Sequence, residues 1–329
     1  MNFKTVAFKG SKRKLLEDIE SLISPISPNE VLDGFSGSGI VSGYLRHKGY
    51  KVYSNDKMPS CNLFSRVFLT GFNESEVQKH IDHINSITGT NGWLTTNYSG
   101  EKKRMIKGIK RVESRPLGFT KANAMKLDAA RDYAETISNP VTRDAIVFSI
   151  AMGMSNVFNN SNDQKSCLKD WSPASLKGVV FKMPTLVQGK PGVTFTGDVI
   201  NMKKSDYDVV YLDPPYTGGV LYDSCYHLND SIVLWDKPAL DHSYAIPRPA
   251  RACISKNGKS GGRFYSKKNA VADFTDLIST FKFKRLILSY SDAPRNILSK
   301  QQLQDICSKF GKLTVKTRNH KLCMQPNSQ

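Results

Sequence analysis

Acidic side chains, long apolar runs and closely spaced cysteines are scarce in this sequence of 329 residues. It carries 47 Lys and Arg against 29 Asp and Glu, and the formal net charge of +18 argues against a small cationic substrate. An excess of that size favours a polyanionic partner such as DNA, RNA or an anionic membrane. Neither a run of 18 apolar residues nor an apolar segment near the start is present, so we expect no membrane span and no signal peptide.

The six cysteines are scattered, and none forms a CxxC pair. A disulfide framework or a zinc site needs tighter spacing than this. We therefore expect reduced thiols in a cytoplasmic protein that has no structural metal. The cysteines are Cys61, Cys167, Cys225, Cys253, Cys307 and Cys323.

Two stretches with an alternating strand-and-helix pattern flank a middle of different character. In the first stretch, residues 30–33 and 51–56 are typical of buried strands, and the apolar spacing of residues 14–23 and 40–48 predicts helices. In the second stretch, strands are predicted at 193–198, 207–212, 285–290 and 312–317, and helices at 270–281 and 300–310. Strands that alternate with helices indicate an α/β fold with a mostly parallel sheet.

The middle of the chain is rich in basic and Asn residues and mostly helical in pattern, with helices predicted at 121–137 and 141–154. The sequence thus predicts an α/β core formed by residues 1–60 and 190–329, which is split by an inserted helical region at residues 61–189. We expect such an insertion to lie beside the active site, at the carboxyl ends of the parallel strands.

A glycine-rich turn, DGFSGSG at residues 33–39, connects the first strand to a helix. Glycines there allow a ligand to approach the backbone, although the pattern is neither the nicotinamide fingerprint GxGxxG nor a P-loop. Asp56 ends the next strand, and an acid at that place commonly accepts hydrogen bonds from ribose hydroxyls. Taken alone, the turn also fits a simple chain reversal, and the acid also fits a helix cap.

The run Asp213-Pro214-Pro215-Tyr216 is more specific. Two prolines directly after a central strand fix the backbone and remove two N–H donors. Two rigid acceptors remain, the Asp213 carboxylate and the Pro214 carbonyl, beside the flat ring of Tyr216. An exocyclic amine of a nucleobase offers two N–H donors and a π face, so this run is suited to binding such an amine.

With these motifs in this order, the sequence resembles the Dam-like DNA adenine-N6 methyltransferases of the alpha arrangement. In that family a first cofactor motif precedes the glycine motif, an inserted target-recognition region follows, and the catalytic tetrapeptide comes last. FKGSK at residues 8–12, the turn at 33–39, the basic insertion and the tetrapeptide at 213–216 keep that order here, with Phe8 where the family usually has tyrosine. The resemblance covers nearly the whole chain. It implies a Rossmann-like methyltransferase core with a mixed, mostly parallel sheet and an inserted, mainly helical target-recognition domain.

The resemblance also implies the chemistry: a methyl group passes from S-adenosylmethionine to N6 of a flipped-out adenine in double-stranded DNA. It implies that Lys12 meets the methionine carboxylate of the cofactor, Asp56 its ribose hydroxyls and Asp198 its adenine amine. The implied catalytic residues are Asp213, Pro214, Pro215 and Tyr216. The implied cofactor-binding residues are Phe8, Gly10, Ser11, Lys12, Asp33, Phe35, Ser36, Gly37, Gly39, Asp56, Asp198 and Asp213.

Two basic segments, residues 102–115 and 248–268, are candidates for contact with DNA phosphates, although a run of charge is ordinarily a solvated face. The candidate DNA-binding residues are Lys102, Lys103, Arg104, Lys107, Lys110, Arg111, Arg248, Arg251 and Lys267.

We expect a monomer that binds neither a metal nor a membrane, and the resemblance admits a cognate restriction endonuclease as a partner. Two alternatives stay open: a methyltransferase for exocyclic amines of adenine or guanine in RNA, and a catalytically silent DNA-binding protein on the same fold.

Overall fold

The computed structural model describes residues 3–105, 112–160, 163–216, 222–253, 263–293 and 296–318. The helices are α1 (Leu16–Ile23), α2 (Ile40–His47), α3 (Pro59–Thr70), α4 (Glu74–Ser86), α5 (Trp93–Tyr98), α6 (Lys121–Glu135), α7 (Pro140–Val157), α8 (Tyr222–Cys225), α9 (His227–Leu234), α10 (Ala270–Ser279) and α11 (Lys300–Ser308). The strands are β1 (Glu30–Asp33), β2 (Lys51–Asp56), β3 (Glu101–Met105), β4 (Val112–Pro116), β5 (Val193–Thr196), β6 (Asp206–Leu212), β7 (Leu240–Asp241), β8 (Arg248–Pro249) and β9 (Lys282–Leu288).

Five strands form one parallel sheet in the order β5-β2-β1-β6-β9, which confirms the predicted α/β class. In the described part of the chain, antiparallel pairing is confined to two small ladders, β3 with β4 and β7 with β8. The chain moves outward from β1 in one direction and from β6 in the other, so a crevice opens between the carboxyl ends of these two central strands. The glycine turn and the proline turn leave from them, and the Gly34 N–H donates to the Tyr211 carbonyl at 2.9 Å.

Apolar residues cover both faces of the sheet, as a buried parallel sheet requires. Successive side chains of a strand point to opposite faces. On β1, Val31 therefore belongs to the hydrophobic cluster that includes α2, α3 and α7, whereas Leu32 belongs to the cluster that includes α10 and α11. Val209 and Val210 on β6 divide in the same way. Both central strands are thus held from two sides, which fixes the position of their carboxyl ends.

The predicted insertion packs directly onto this sheet. The helices expected at residues 121–137 and 141–154 are present as α6 and α7. A single hydrophobic cluster joins Val31 of β1 to Leu127 of α6 and Phe148 of α7. The hairpin of β3 and β4, in which Lys102 pairs with Arg115 and Arg104 with Glu113, was not expected from the helical pattern. The division into a core and a target-recognition domain stays a prediction.

The strand predicted at residues 312–317 is wrong. Residues 311–318 form neither helix nor strand, and they are exposed throughout. The alternating pattern there is not matched by burial, since Val315 is 50% exposed. Lys316 and Arg318 instead bind the Asp18 carboxylate of α1, at 3.2 and 2.7 Å. Ion pairing with a helix therefore replaces the expected pairing with a strand.

Five cysteines lie in the described ranges, and none of them forms a disulfide bond there: Cys61, Cys167, Cys225, Cys253 and Cys307. Cys323 lies outside these ranges. No helix in the described part of the chain is long and apolar enough to cross a membrane.

At the amino end of the sheet, the Glu30 carboxylate binds three neighbours and makes stability sensitive to acid. The Tyr53 hydroxyl donates to it at 2.6 Å, and the Lys51 and Lys204 ammonium groups lie at 3.0 and 2.9 Å. The hydrogen bond from Tyr53 and that from Lys204 lower the pKa of Glu30 from 4.5 to about 2. A folded-state pKa below the unfolded value gives stability that is present above pH 4.5 and lost as the pH falls toward 2.

We therefore expect Glu30→Gln to flatten the fall in the free energy of unfolding between pH 5 and pH 2, as measured by urea titration at each pH. Glu17→Gln, at an exposed position on α1, is the matched control and should leave the slope as it is in the wild type. A Glu30→Gln slope equal to that of the wild type would show that this cluster does not carry the acid sensitivity.

Candidate active site

An open cleft lies at the carboxyl ends of β1, β2 and β6. It brings together motifs that are far apart in the sequence: residues 8–12, the glycine turn, Asp56, Asp198 and the tetrapeptide at 213–216. Parallel strands place their carboxyl ends at one edge of a sheet, so the segments that follow them meet there. Among the predicted cofactor-binding and catalytic residues, only Asp33 and Gly39 lie outside the lining of this cleft.

Asp56 holds the glycine turn in place from the end of β2. Its Oδ2 accepts the Gly37 N–H at 2.9 Å, and its Oδ1 accepts the Met58 N–H at 3.0 Å. Burial is the main cause that raises the pKa of this carboxyl. The neighbouring Asn55 side chain donates to the Gly197 carbonyl at 3.2 Å, which ties the turn after β5 to the same region. The wall of the cleft is thus cross-linked between three strands.

Asp33 and Gly39 are the first and last residues of the glycine turn, and they hold it in place without lining the cleft. Asp33 is fully buried, and the Ser42 hydroxyl donates to its Oδ2 at 2.6 Å. Burial raises the pKa of Asp33 to about 7. Gly39 has φ +75°, and a Cβ added there would lie 3.0 Å from the backbone of Ser65 on α3. A residue without a side chain is needed at this point, because helices α2 and α3 approach closely.

Lys12 and Asp213 form an ion pair at the centre of the cleft. The Lys12 ammonium bonds Asp213 Oδ2, and it also donates to the Gly10 carbonyl at 3.0 Å. Burial raises the pKa of Asp213, and the charge of Lys12 opposes that rise. Asp213 Oδ1 is buried and has no hydrogen-bond partner among the described residues. The Lys12 ammonium thus contacts a carboxylate of the chain itself, that of the predicted catalytic residue Asp213. The resemblance had implied that Lys12 meets the carboxylate of the cofactor instead.

Tyr216 is positioned by the segment that follows β9. Its ring centre lies 5.0 Å from that of Tyr290, with 49° between the ring planes. Its carbonyl accepts the Ile297 N–H at 2.9 Å. The Lys12 ammonium lies 6.0 Å from the Tyr216 ring centre. The Tyr216 ring, the Lys12 ammonium and the Asp213 carboxylate are therefore close together in the cleft.

An aromatic stack that the sequence analysis missed closes one side of the cleft. The rings of Phe8 and Tyr226 lie 4.1 Å apart and 12° from parallel, and Tyr222 stacks next to Phe8. The Tyr226 hydroxyl accepts the Lys9 N–H at 2.5 Å. A Cβ added at Gly37 would lie 3.3 Å from the Phe8 ring. The other cleft-lining residues that were missed include Asn55, Lys57, Met58, Asp223, Arg263, Phe264 and Tyr265.

The candidate DNA-binding residues have varied surroundings. Arg248 is buried, with its guanidinium 4.3 Å from the Tyr244 ring centre. Arg251 pairs with Asp236 at 2.6 Å, whereas Lys267 is exposed. The backbone of Lys102, Lys103 and Arg104 lies in β3, and Lys107, Lys110 and Arg111 fall outside the described residues. A role in DNA binding stays a prediction for all of them.

The fold and the cleft together define an enzyme of the Rossmann-like methyltransferase class. The family model described as D12 class N6 adenine-specific DNA methyltransferase matches residues 8–242. Because this match spans most of the sequence, the chain belongs to that family. The predicted family and the predicted site-specific methylation of adenine in DNA are thereby confirmed, and the family favours DNA over the RNA alternative.

Curated relatives give the same class. The chain is 24% identical to modification methylase LlaI of Lactococcus lactis subsp. lactis, over 98% of this chain and 52% of that protein. It is 25% identical to type II methyltransferase M.CviAII of Paramecium bursaria Chlorella virus 1, over 96% and 92% of the two chains. Type II methyltransferase M.NlaIII of Neisseria lactamica is also 25% identical, over 92% and 88%. The chain thus spans about half of the LlaI methylase and most of the other two proteins.

Proposed function

We propose that the methyl donor is S-adenosylmethionine and that it lies across the glycine turn in the described cleft. One polar group on the cleft wall supports this fit. The Ser36 hydroxyl is buried and has no hydrogen-bond partner among the described residues. Buried polar groups are normally hydrogen-bonded, so this hydroxyl is suited to a ligand that is itself polar. When bound, S-adenosylmethionine supplies an electrophilic methyl group on a positively charged sulfur.

Several cleft residues are expected to hold this donor. Asp56 is expected to accept from its ribose hydroxyls, and Asp198 from its adenine amine. Phe8 is held against the glycine turn and offers an apolar wall beside it. The Asp33 carboxyl is fully buried, so it is expected to act indirectly, by supporting the glycine turn. Phe35, Gly37 and Gly39 are expected to border the methionine part, and Gly10 and Ser11 also line the cleft.

We propose that Asp213, Pro214 and Tyr216 hold the target adenine. The N6 lone pair of adenine is delocalised into the ring, and N6 is therefore a poor nucleophile. Hydrogen bonds from its two N–H groups to the Asp213 carboxylate and the Pro214 carbonyl favour a pyramidal nitrogen with a localised lone pair. Positioning and electrostatics of this kind are the main contributions of a protein to such a reaction. The single observation that carries the proposal is the junction of Asp213 and Tyr216 with the glycine turn in one cleft.

The target adenine is expected to leave the DNA stack before it enters this cleft. N6 is shielded inside a duplex, and flipping the nucleotide costs a few kcal/mol. Stacking of the base on Tyr216 offsets about 1–3 kcal/mol of that cost.

The helical region at residues 61–189 is proposed to read the recognition site. We also propose that the protein acts as a monomer in the cytoplasm, beside a cognate restriction endonuclease, in line with the type II names of its relatives.

Methyl transfer from labelled S-adenosylmethionine tests the proposed function directly. Unmethylated genomic DNA and total RNA are supplied separately, and the methylated nucleoside is identified by mass. N6-methyladenine in DNA is the expected product, and sequencing of that DNA would give the recognition site. Label in RNA alone would contradict the DNA assignment. Cofactor binding without label in either polymer would indicate a silent DNA-binding protein.

Replacing Lys102, Lys103 and Arg104 with alanine is expected to weaken binding to all DNA sequences. Each lost phosphate contact lowers the slope of log K against log salt concentration by about 0.9. We expect the slope to fall by about 2 to 3 for the triple variant, as measured by fluorescence anisotropy between 50 and 200 mM salt.

The control for this experiment replaces three exposed lysines outside both basic segments: Lys48, Lys79 and Lys309. This variant has the same change in net charge and should keep a slope near that of the wild type. If both triple variants lower the slope equally, the β3 residues act only through net charge and not through contact with phosphates.

A further inference from the structure

A short turn of the predicted insertion, residues 163–165, reaches the edge of the cleft and has no role in the proposed function. The Asp163 carboxylate lies 2.5 Å from the Lys9 ammonium. Lys9 belongs to the first cofactor motif, and both Phe8 and Lys9 line the cleft. The insertion therefore contacts the segment that is proposed to border the methyl donor.

Gln164 fixes this turn on the segment that follows the catalytic tetrapeptide. It is 4% exposed, and all four of its polar groups are hydrogen-bonded. Its backbone N–H donates to the Cys225 carbonyl at 2.8 Å, and its carbonyl accepts from His227 Nε2 at 3.0 Å. Its side-chain oxygen accepts the Leu228 N–H at 2.8 Å, and its side-chain nitrogen donates to Asn229 Oδ1 at 2.9 Å. Breaking these bonds would leave buried polar groups unpaired, which is costly, so the position of the turn is fixed.

Asp163 carries a negative charge at this fixed position. Its Oδ1 accepts the Lys165 N–H at 3.0 Å, and its Oδ2 faces the Lys9 ammonium. Burial opposes ionisation, but the hydrogen bonds from Lys9 and from the Lys165 N–H hold the pKa of Asp163 below its usual range. The side chains of Asp163 and Lys9 are 14% and 38% exposed, so solvent screens this pair only in part.

Residues 8 and 9 are thereby held from two sides. Tyr226, in the segment that the turn binds, stacks its ring on Phe8 and accepts the Lys9 N–H through its hydroxyl. Asp163 binds the ammonium at the other end of Lys9. The Phe8 ring lies against the glycine turn, where a Cβ added at Gly37 would lie 3.3 Å from it. A wall that is in place before a ligand arrives need not be ordered by binding, and this increases affinity.

We propose that Asp163 is a positioning residue of the donor site: through its ion pair with Lys9, the insertion holds the Phe8 wall in the arrangement that binds the methyl donor. This inference rests on the proposed function, since it takes the cleft to be the donor site. Asp163 is not among the residues that line the cleft, so it acts through Lys9 and Phe8. The region proposed to read DNA thus also contributes to donor affinity.

The test compares Asp163→Asn with the wild type by isothermal titration calorimetry, with S-adenosylhomocysteine as the probe. The substitution removes the charge at nearly constant volume, and it is expected to weaken binding about fivefold, as for the loss of a partly exposed ion pair. KM for S-adenosylmethionine should rise by a similar factor. The value of kcat at saturating donor should stay near that of the wild type, because the catalytic tetrapeptide is unchanged, whereas partial unfolding would lower kcat as well.

Further variants isolate the ion pair. Lys9→Met should weaken binding at least as much, and Asp163→Asn should then add almost nothing, because the shared contact is already lost. Asp163→Glu keeps the charge and should restore most of the affinity. Asp144→Asn is the matched control and should bind the probe as the wild type does. Asp144 pairs with Arg66 at 2.6 Å, the two side chains are 18% and 38% exposed, and neither lines the cleft.

Wild-type affinity in Asp163→Asn would overturn the inference and leave the proposed donor in place. So would an equal loss in Asp144→Asn, or full additivity of the Asp163 and Lys9 substitutions. If the wild type itself binds no S-adenosylhomocysteine, the proposed donor is wrong, and the inference is wrong with it.

Discussion

Replacing Asp213 with alanine is expected to lower methyl transfer to DNA by about 100- to 1,000-fold or more, the loss typical of removing one charge-stabilising group. The carboxylate stands at the end of β6, in the cleft where residues 8–12, the glycine turn and Tyr216 meet. Without it, one N–H of the target amine has no acceptor, and the lone pair of N6 remains delocalised. The affinity for the donor, measured by calorimetry, should remain nearly unchanged.

The control for this prediction uses the same strand. Asp206 is an exposed acid at the amino end of β6, so Asp206→Ala removes the same charge far from the cleft. We expect it to retain full transfer. Near-wild-type turnover in Asp213→Ala would show that methyl transfer does not need this carboxylate.

Asp213→Ala also leaves the Lys12 ammonium without its partner, and Lys12 is only 8% exposed. A buried charge that loses its partner destabilises a protein by about 3–5 kcal/mol. The double variant Lys12→Met with Asp213→Asn removes both charges and preserves side-chain volume. If this variant folds with wild-type stability and still fails to transfer methyl groups, loss of folding does not explain the loss of activity.

The sequence predicts the central part of the fold well, because local patterns specify it. Strand β1 and helix α2 begin and end within a residue of their predicted limits, with the glycine turn between them. The tetrapeptide and the glycine turn meet because both follow central strands of a parallel sheet. Their junction in one cleft follows from topology alone, and it needs no knowledge of individual contacts.

Other features depend on contacts between distant segments, which local patterns do not encode. Phe8 stacks on Tyr226 only because α8 and α9 return to the cleft after the tetrapeptide. The backbones of β3 and β4 pair as a hairpin, with Lys102 opposite Arg115, in a region whose composition suggested helix. Residues 312–317 alternate like a strand, yet Lys316 and Arg318 bind Asp18 on α1. In each case tertiary contacts outweigh local propensity.

The ion pair of Lys12 with Asp213 is a contact in the cleft that the sequence did not reveal. The first cofactor motif suggested that Lys12 binds a ligand carboxylate, whereas its ammonium meets a carboxylate of the chain itself. Burial raises the pKa of Asp213, and the Lys12 charge is the largest influence that lowers it. We therefore expect Lys12 to favour the ionised form of Asp213, the form that accepts hydrogen bonds.

Replacing Lys12 with methionine is consequently expected to raise the pKa of Asp213 further. Only the ionised carboxylate accepts from both lone-pair directions, so activity falls as the pH drops through this pKa. In Lys12→Met, the acidic limb of the profile of kcat/KM against pH should lie at higher pH than in the wild type. Activity at neutral pH should decrease by up to about tenfold for each pH unit of displacement, and it should partly recover in alkaline buffer.

Lys12→Arg is the matched control, because arginine keeps the positive charge at the same position and should leave the acidic limb near its wild-type place. Saturating donor concentrations separate this effect from any loss of donor affinity, because kcat/KM for DNA is then measured with the donor fully bound. An acidic limb at the same pH in Lys12→Met and wild type would show that Asp213 does not depend on Lys12 for its charge. A displaced limb that Lys12→Arg restores would instead establish Lys12 as the residue that holds the catalytic carboxylate in its ionised form.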